Sequence, residues 1–317
     1  MELLFNILVF PGLLFVLLWA LFVFWFSRKV VAYIHKRVGP HYNGMGGSLQ
    51  TVYDFAKLLG KESITPHNVN PYLFGLIPLL APTLAMLTLV LLPWSPNLVV
   101  VNTQYGVLAL VVLIGIEPFL LFLTGFGSNN KYSFLGGIRI LTQMISMETS
   151  FFMAALAPAL LFGTMNLVTI VESANWLTTL ILLPGALLFF ISALGILAQP
   201  PFNIPDAEQE IVYGFYTEYT GTNYLLLKLA EFTEFLIVFA ATVTLFFAGY
   251  RGGVFDGFAV LFFKMLVLAV VMITVRASTP RIRLDQMLRF AWTYLVPLSF
   301  LNLAWVLVAK VYLLGGS

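Results

Sequence analysis

The chain has no cysteine in 317 residues, only three histidines, and a charged fraction of 9%. Without thiolates it can form no disulfide, no iron–sulfur ligation and no Cys-based zinc site, so any electron carrier must belong to a partner. His35, His41 and His67 lack the paired spacing of metal ligands, and no metal or other cofactor is expected on this chain. A phosphate loop of Walker or dinucleotide type and a nucleophile elbow are both missing, which leaves hydrolytic chemistry unsupported. The net charge of +2 is too small to suggest a nucleic-acid partner. No internal repeat or low-complexity segment stands out, and an inverted-repeat transporter should show two similar halves.

What the chain does have is apolar surface. Hydrophobic residues make up 60% of it, and the mean hydropathy is +0.96. An ordinary soluble domain carries roughly 45–50% apolar and about 25% charged residues, so the expected class is an integral membrane protein in contact with lipid. Apolar runs predict spans at about 3–26, 72–94, 105–126, 138–163, 177–197, 224–249, 257–275 and 290–313. Backbone groups find no water in lipid, so runs of this length should be helices. The expected fold is all-α, a single transmembrane domain over residues 1–317 with about eight spans plus amphipathic loop helices.

The charges sit on one side. Arg28, Lys29, Lys36, Arg37, Lys57 and Lys61 follow the first span, Lys131 and Arg139 the third, and Arg276, Arg281, Arg283 and Arg289 the seventh. The alternate loops carry only Arg251, with Lys310 near the C-terminus. By the positive-inside rule the loops at about 27–71, 127–137, 198–223 and 276–289 are cytoplasmic and both termini lie outside. Within the first loop, Leu49, Val52, Phe55, Ala56 and Leu59 form a helical stripe that suits a membrane surface or a docked partner.

Several ionisable residues lie where lipid would be expected. A charge near mid-membrane costs at least ~2.5–3.5 kcal/mol on insertion scales, so Glu148 and Glu117 should face the bundle interior, on an ion path or in a neutral helix contact. Pro118 suggests a broken helix that Glu117 caps. Lys228, Glu231 and Glu234 share one broad helix face; Lys228 reads equally as a snorkelling helix end, while the two acids lie deeper and suit a relay. Lys264 has no carboxylate one turn away on its own helix, so a partner must come from elsewhere; the alternative is snorkelling.

The segment from Ala198 to Gly221 carries Asp206, Glu208, Glu210 and Glu218 without one Lys or Arg. Its Pro-rich entry and the interleaved Tyr213, Tyr216 and Tyr219 suit a loop packed against protein rather than a solvated surface. Carboxylates that cannot all ionise raise one another's pKa, the expectation adopted for this loop.

Four blocks together carry a family resemblance. SRKVVAYIHKRVGPHYNGMGGSLQTVYDFAKLLGKE resembles the ERK, RxGPNxxGxxGxLQ and DxxKLxxKE pattern of the subunit 1 or H family of respiratory complex I. GFGSNNKYSFLGGIRILTQMISMETS is similar to that family's GWxSNNKYxxLGxxRxxxQMISYE. PPFNIPDAEQEIVYGFYTEYTG followed by LLLKLAEF resembles APFDLPEAExELVAGFxTEYSG and LAEY, and VRASTPRIRLDQML resembles RAxxPRxRxDQLM.

The resemblance implies an eight-helix subunit of a prokaryotic cytoplasmic membrane that joins antiporter-like membrane subunits to a hydrophilic redox arm. Iron–sulfur clusters, and in hydrogenase-like arms a nickel–iron centre, sit in those partners. It further implies coupling roles for Glu148, Glu208, Glu210, Glu218 and Glu231, beside which Glu117, Glu234 and Lys264 stand as relay candidates on their positions alone. Chamber or partner-interface roles fall on Arg37, Asp54, Lys57, Lys131, Arg139, Tyr216, Arg276, Arg281, Arg283 and Asp285.

The chain also departs from the quinone-reducing pattern ETNRAPFD: Ile196 and Gln199 replace its glutamate and arginine, and Asn203 its aspartate, while Ser27 replaces the first residue of ERK. The expectation is therefore a coupling subunit most like those of ferredoxin-fed membrane-bound hydrogenase or sulfane reductase complexes that move H⁺ or Na⁺. A quinone-reducing complex is the alternative, with a stand-alone transporter and a purely structural anchor behind it.

Overall fold

The computed structural model describes residues 9–205, 210, 212–253 and 255–313. Asp206, Glu208 and the start of the expected first span lie outside the described residues. Among the described residues the protein is helical, with no strand beyond an isolated bridge between Ser95 and Leu98. Helices α1 (Leu13–Ile34), α3 (Pro71–Val90), α4 (Gly106–Gly127), α5 (Lys131–Phe162), α7 (Trp176–Ile196), α8 (Gly221–Phe246) and α9 (Phe258–Ser278) are long and apolar enough to cross a membrane. The eighth is Leu284–Tyr312, in which α10 (Leu284–Phe290) continues through a π-helical turn at Ala291–Leu295 into α11 (Val296–Leu313). The short helices are α2 (Leu49–Gly60) and α6 (Leu167–Ser173).

Eight spans match the expected number, with shifted ends. α1 runs on through Ser27, Arg28 and Lys29 to Ile34, because long basic side chains can leave a helix for the interface without breaking it. α5 begins at Lys131, where the Asn130 side chain accepts from the Tyr132 N–H, so most of the expected loop at 127–137 is helix. α4 continues unbroken through Pro118, so Glu117 is no helix cap.

α8 stands at the centre, with 94% of its most apolar stretch buried, against 22% for α1 and 28% for α9. Around it, small residues let backbones approach, as membrane interfaces require. A Cβ on Gly125 of α4 would lie 2.5 Å from the Ser133 carbonyl and 3.3 Å from Gly137 Cα of α5. One on Gly195 of α7 would lie 2.5 Å from Met147 Cγ. Deeper in the core, Phe151 and Phe189 stack at 4.3 Å and join α5 to α7.

Candidate functional site

Two cavities meet at one carboxylate. The larger, about 1020 Å³, lies between α1, α2, α8 and the segment after α9, with Arg28, Asp54, Lys57, Lys228, Glu231 and Arg281 on its wall. Phe24, Phe55, Phe232 and Phe235 supply apolar surface beside these charges, and Gln199, Asn203 and Arg276 complete its polar side. The smaller, about 30 Å³, is bordered by Gln143, Glu231, Glu234, Tyr216 and Pro118. Among the described residues Glu231 is the one that lines both.

Two side chains hold Glu231 at one oxygen. Lys228 Nζ lies 2.7 Å from its Oε2, one helical turn away on α8, and the Tyr216 hydroxyl donates to the same oxygen at 3.3 Å. The Lys228 ammonium stands 4.3 Å from the centre of the Tyr216 ring and 5.9 Å from that of Tyr224. Tyr224 in turn shares a hydrogen bond with Tyr213 at 2.7 Å. Lys228 therefore belongs to the site, a placement its position near a helix end left open in the sequence.

One turn further along α8, Glu234 is 4% exposed and faces Glu117 of α4, 2% exposed, within hydrogen-bonding reach. A hydrogen bond between two carboxyl groups needs a proton on one of them. Glu234 Oε1 has no partner, and neither has Gln143 Oε1 on the far wall of the small cavity. The Gln143 amide N–H donates to the Gly195 carbonyl, which fixes the orientation of that oxygen. Gln143 escaped notice in the sequence because a single amide in an apolar helix carries little signal beside a charge. Glu148 is half-buried on another face of α5, packed onto α4 where a Cβ at Gly115 would overlap its Oε1.

The acidic segment overturns one expectation. Glu210 lacks a cation near it in sequence but finds two in space: Arg139 of α5 reaches its Oε2 at 2.8 Å, and Arg281 approaches its Oε1 at 3.5 Å. The hydrogen bond from Arg139, with the charges of Arg281 and Arg283, holds the Glu210 carboxyl below its ordinary range rather than above it. Glu218 accepts from Asn130 Nδ2 at 2.5 Å, beside the start of α5. Tyr216 and Tyr219 are buried, and Tyr219 stacks on Phe74 of α3 at 4.3 Å; burial pushes its hydroxyl pKa up.

Lys264 needs no carboxylate ligand. Its ammonium donates to the carbonyls of Phe247, Gly249 and Arg251 at 2.7, 3.0 and 2.6 Å, so it closes the C-terminal end of α8 as a cap, with the charge of Asp256 nearby. Lys310 does the same for α5 through the Leu160 carbonyl, and Arg251 for α6 through that of Glu172.

Of the remaining candidates, Asp54, Lys57, Arg276 and Arg281 line the large cavity, and Arg37, Lys131, Arg283 and Asp285 do not. Asp54 on α2 pairs with Arg28 at 3.0 Å, and Arg281 also donates to the Ile204 carbonyl at 3.2 Å. Arg276 closes α9, while Arg283 and Asp285 open α10. Arg37 is exposed in the turn after α1, and Lys131, at the start of α5, lies 5.4 Å from the Tyr132 ring.

The family model for NADH dehydrogenase matches residues 7–307. The chain belongs to this family. Its relatives include the H-type membrane subunit of the NADH-quinone oxidoreductase of Rhodobacter capsulatus, 38% identical over 316 residues, covering 95% of this chain and 90% of that one. The corresponding subunit of Geobacillus thermodenitrificans is 38% identical over 317 residues, covering 96% and 95%. That of Carboxydothermus hydrogenoformans is 36% identical over 296 residues, covering 92% and 85%. Membership in this family makes the chain a multi-pass membrane subunit of an oxidoreductase. All four of its departures lie at the cavities: Ile196 borders the small one, and Ser27, Gln199 and Asn203 the large one, where Gln199 Oε1 and Asn203 Oδ1 are buried without a hydrogen-bond partner.

Proposed function

We propose that this chain is the membrane-anchor and coupling subunit of a complex-I-like oxidoreductase, linking redox chemistry in a hydrophilic arm to translocation of H⁺ or Na⁺. The observation that carries it is the meeting of a 1020 Å³ chamber and a buried carboxyl pair at the single residue Glu231. The chamber, lined by phenylalanines together with more cationic than anionic side chains, suits an amphiphile with an oxygen-bearing head. The relatives are named for quinone, and a chamber of this size and lining supports a quinone head group as its occupant. Ile196 and Gln199 favour a second reading, a ferredoxin-fed complex of hydrogenase or sulfane reductase type whose chamber no longer reduces quinone.

In this mechanism a charge change in the chamber alters Glu231, which exchanges a proton with the Glu234–Glu117 pair. Glu148, on the adjoining face of α4 and α5, passes the effect to antiporter-like subunits. The arm docks on the loops that carry Arg37, Lys57, Lys131 and Arg283. In the assembled complex, Glu234→Gln should leave electron transfer within about twofold and cut ions moved per electron at least about tenfold, a lost general acid–base group being worth ~10²–10⁴-fold in a proton-transfer step. Undiminished pumping would overturn the mechanism. Reduction of added quinone by the purified complex selects the first occupant; its absence, with ferredoxin oxidation intact, selects the second.

A further inference from the structure

Lys228 has a geometry that a plain ion pair does not require. Its ammonium sits on the chamber wall, at 2.7 Å from Glu231 Oε2 and over the Tyr216 ring, with Tyr224 beyond. The pair is partly shielded, the two side chains being 20% and 19% exposed. Lysine is a compact charge on a flexible four-carbon stem, free to leave one oxygen for another, whereas a bidentate arginine would be fixed. Glu231 beneath it is the residue that reaches both cavities.

We propose that Lys228 is a latch on Glu231, released by an oxyanion in the chamber. The cations Arg28, Lys57 and Arg281 on the same wall attract such a group, and the tyrosine faces offer the ammonium a path along which its charge stays partly stabilised. While the ammonium holds Glu231, the carboxylate's charge is compensated. When the ammonium turns to the oxyanion, Glu231 loses its counter-charge and binds a proton from the solvated chamber. On the ammonium's return that proton leaves for Glu234 across the small cavity. Lys228 is thus a positioning residue, acting through Glu231. The inference rests on the coupling function above and assigns the step that starts it.

The test uses the assembled complex in proteoliposomes, reading electron transfer and ions moved per electron for Lys228→Met, the exchange Lys228→Glu with Glu231→Lys, and Glu234→Gln. The latch predicts that Lys228→Met assembles and, for each electron it still transfers, moves at least about fivefold fewer ions. It also predicts that the exchanged pair assembles but stays uncoupled, because the carboxylate no longer borders the small cavity. A merely structural ion pair is rescued by the exchange, so restored coupling would overturn the latch, as would full coupling in Lys228→Met. If Glu234→Gln uncouples while Lys228→Met does not, only the latch falls. If Glu234→Gln stays coupled, the path itself is wrong and the latch falls with it.

Discussion

At the residue scale, what decides each charged group is its nearest polar neighbour, and sequence distance hides that neighbour. Glu210 shows it: three arginines from two other segments hold its carboxyl below the ordinary range. Its unfolded value is about 4.3, so the stability it lends to loop docking is complete above that value and is lost as pH falls through the lower folded one. Hydrogen exchange of Tyr213–Thr220 should show protection at pH 7 that fades only in the acid range, and Arg139→Met should remove that dependence. High salt should weaken the contact too, since Glu210 is exposed. Lys264 illustrates the converse. A charge within an apolar run looks like a relay, yet no sequence pattern reveals that three carbonyls from the turn after α8 converge on it. Lys264→Met leaves them without that donor and should cost about 1–3 kcal/mol, read as a lower unfolding temperature of the detergent-solubilised complex, while electron transfer per intact complex stays unchanged.

Among the elements, the spans were legible because lipid demands long apolar helices, and their ends were not because polar side chains decide them. The apolar stripe of α2 was readable from period alone, and the helix it forms spans Leu49–Gly60 with Phe55 against the core. What hydropathy cannot register is a glycine's neighbour. Gly136 of α5 backs onto the turn at Gly214–Tyr216, where an added Cβ would meet Phe215 N at 2.8 Å. Gly75 of α3 has nothing within 4 Å. Gly136→Ala should therefore destabilise by about 1–3 kcal/mol through overpacking and loosen the acidic segment. Gly75→Ala should be neutral or stabilising by about 0.5–1 kcal/mol. Thermal melts of the two variants check this, and equal shifts would mean that the α5 contact with that turn carries no weight.

On the scale of the whole molecule, the uneven spread of basic residues sets the expected topology, and the missing thiols make it easy to measure. A lone cysteine at Tyr42, nearly fully exposed, should react with an impermeant maleimide from the cytoplasmic side, and one at Tyr105 from the opposite side. Exchanged labelling would reverse the orientation expected here. The buried position of α8 has a further consequence, for biogenesis. A segment bearing Lys228, Glu231 and Glu234 is a poor candidate for lateral release into lipid on its own, since each charge raises the cost of partitioning. Of the helices that pack on it, α1, α2, α3, α5, α6 and α7 are translated earlier and only α9 later, so most of the groove that accepts those charges is made before they leave the ribosome. The order of the gene is then also a construction schedule, and a circular permutant that starts at α8 should stall at the translocon even though every contact of the finished protein remains available to it.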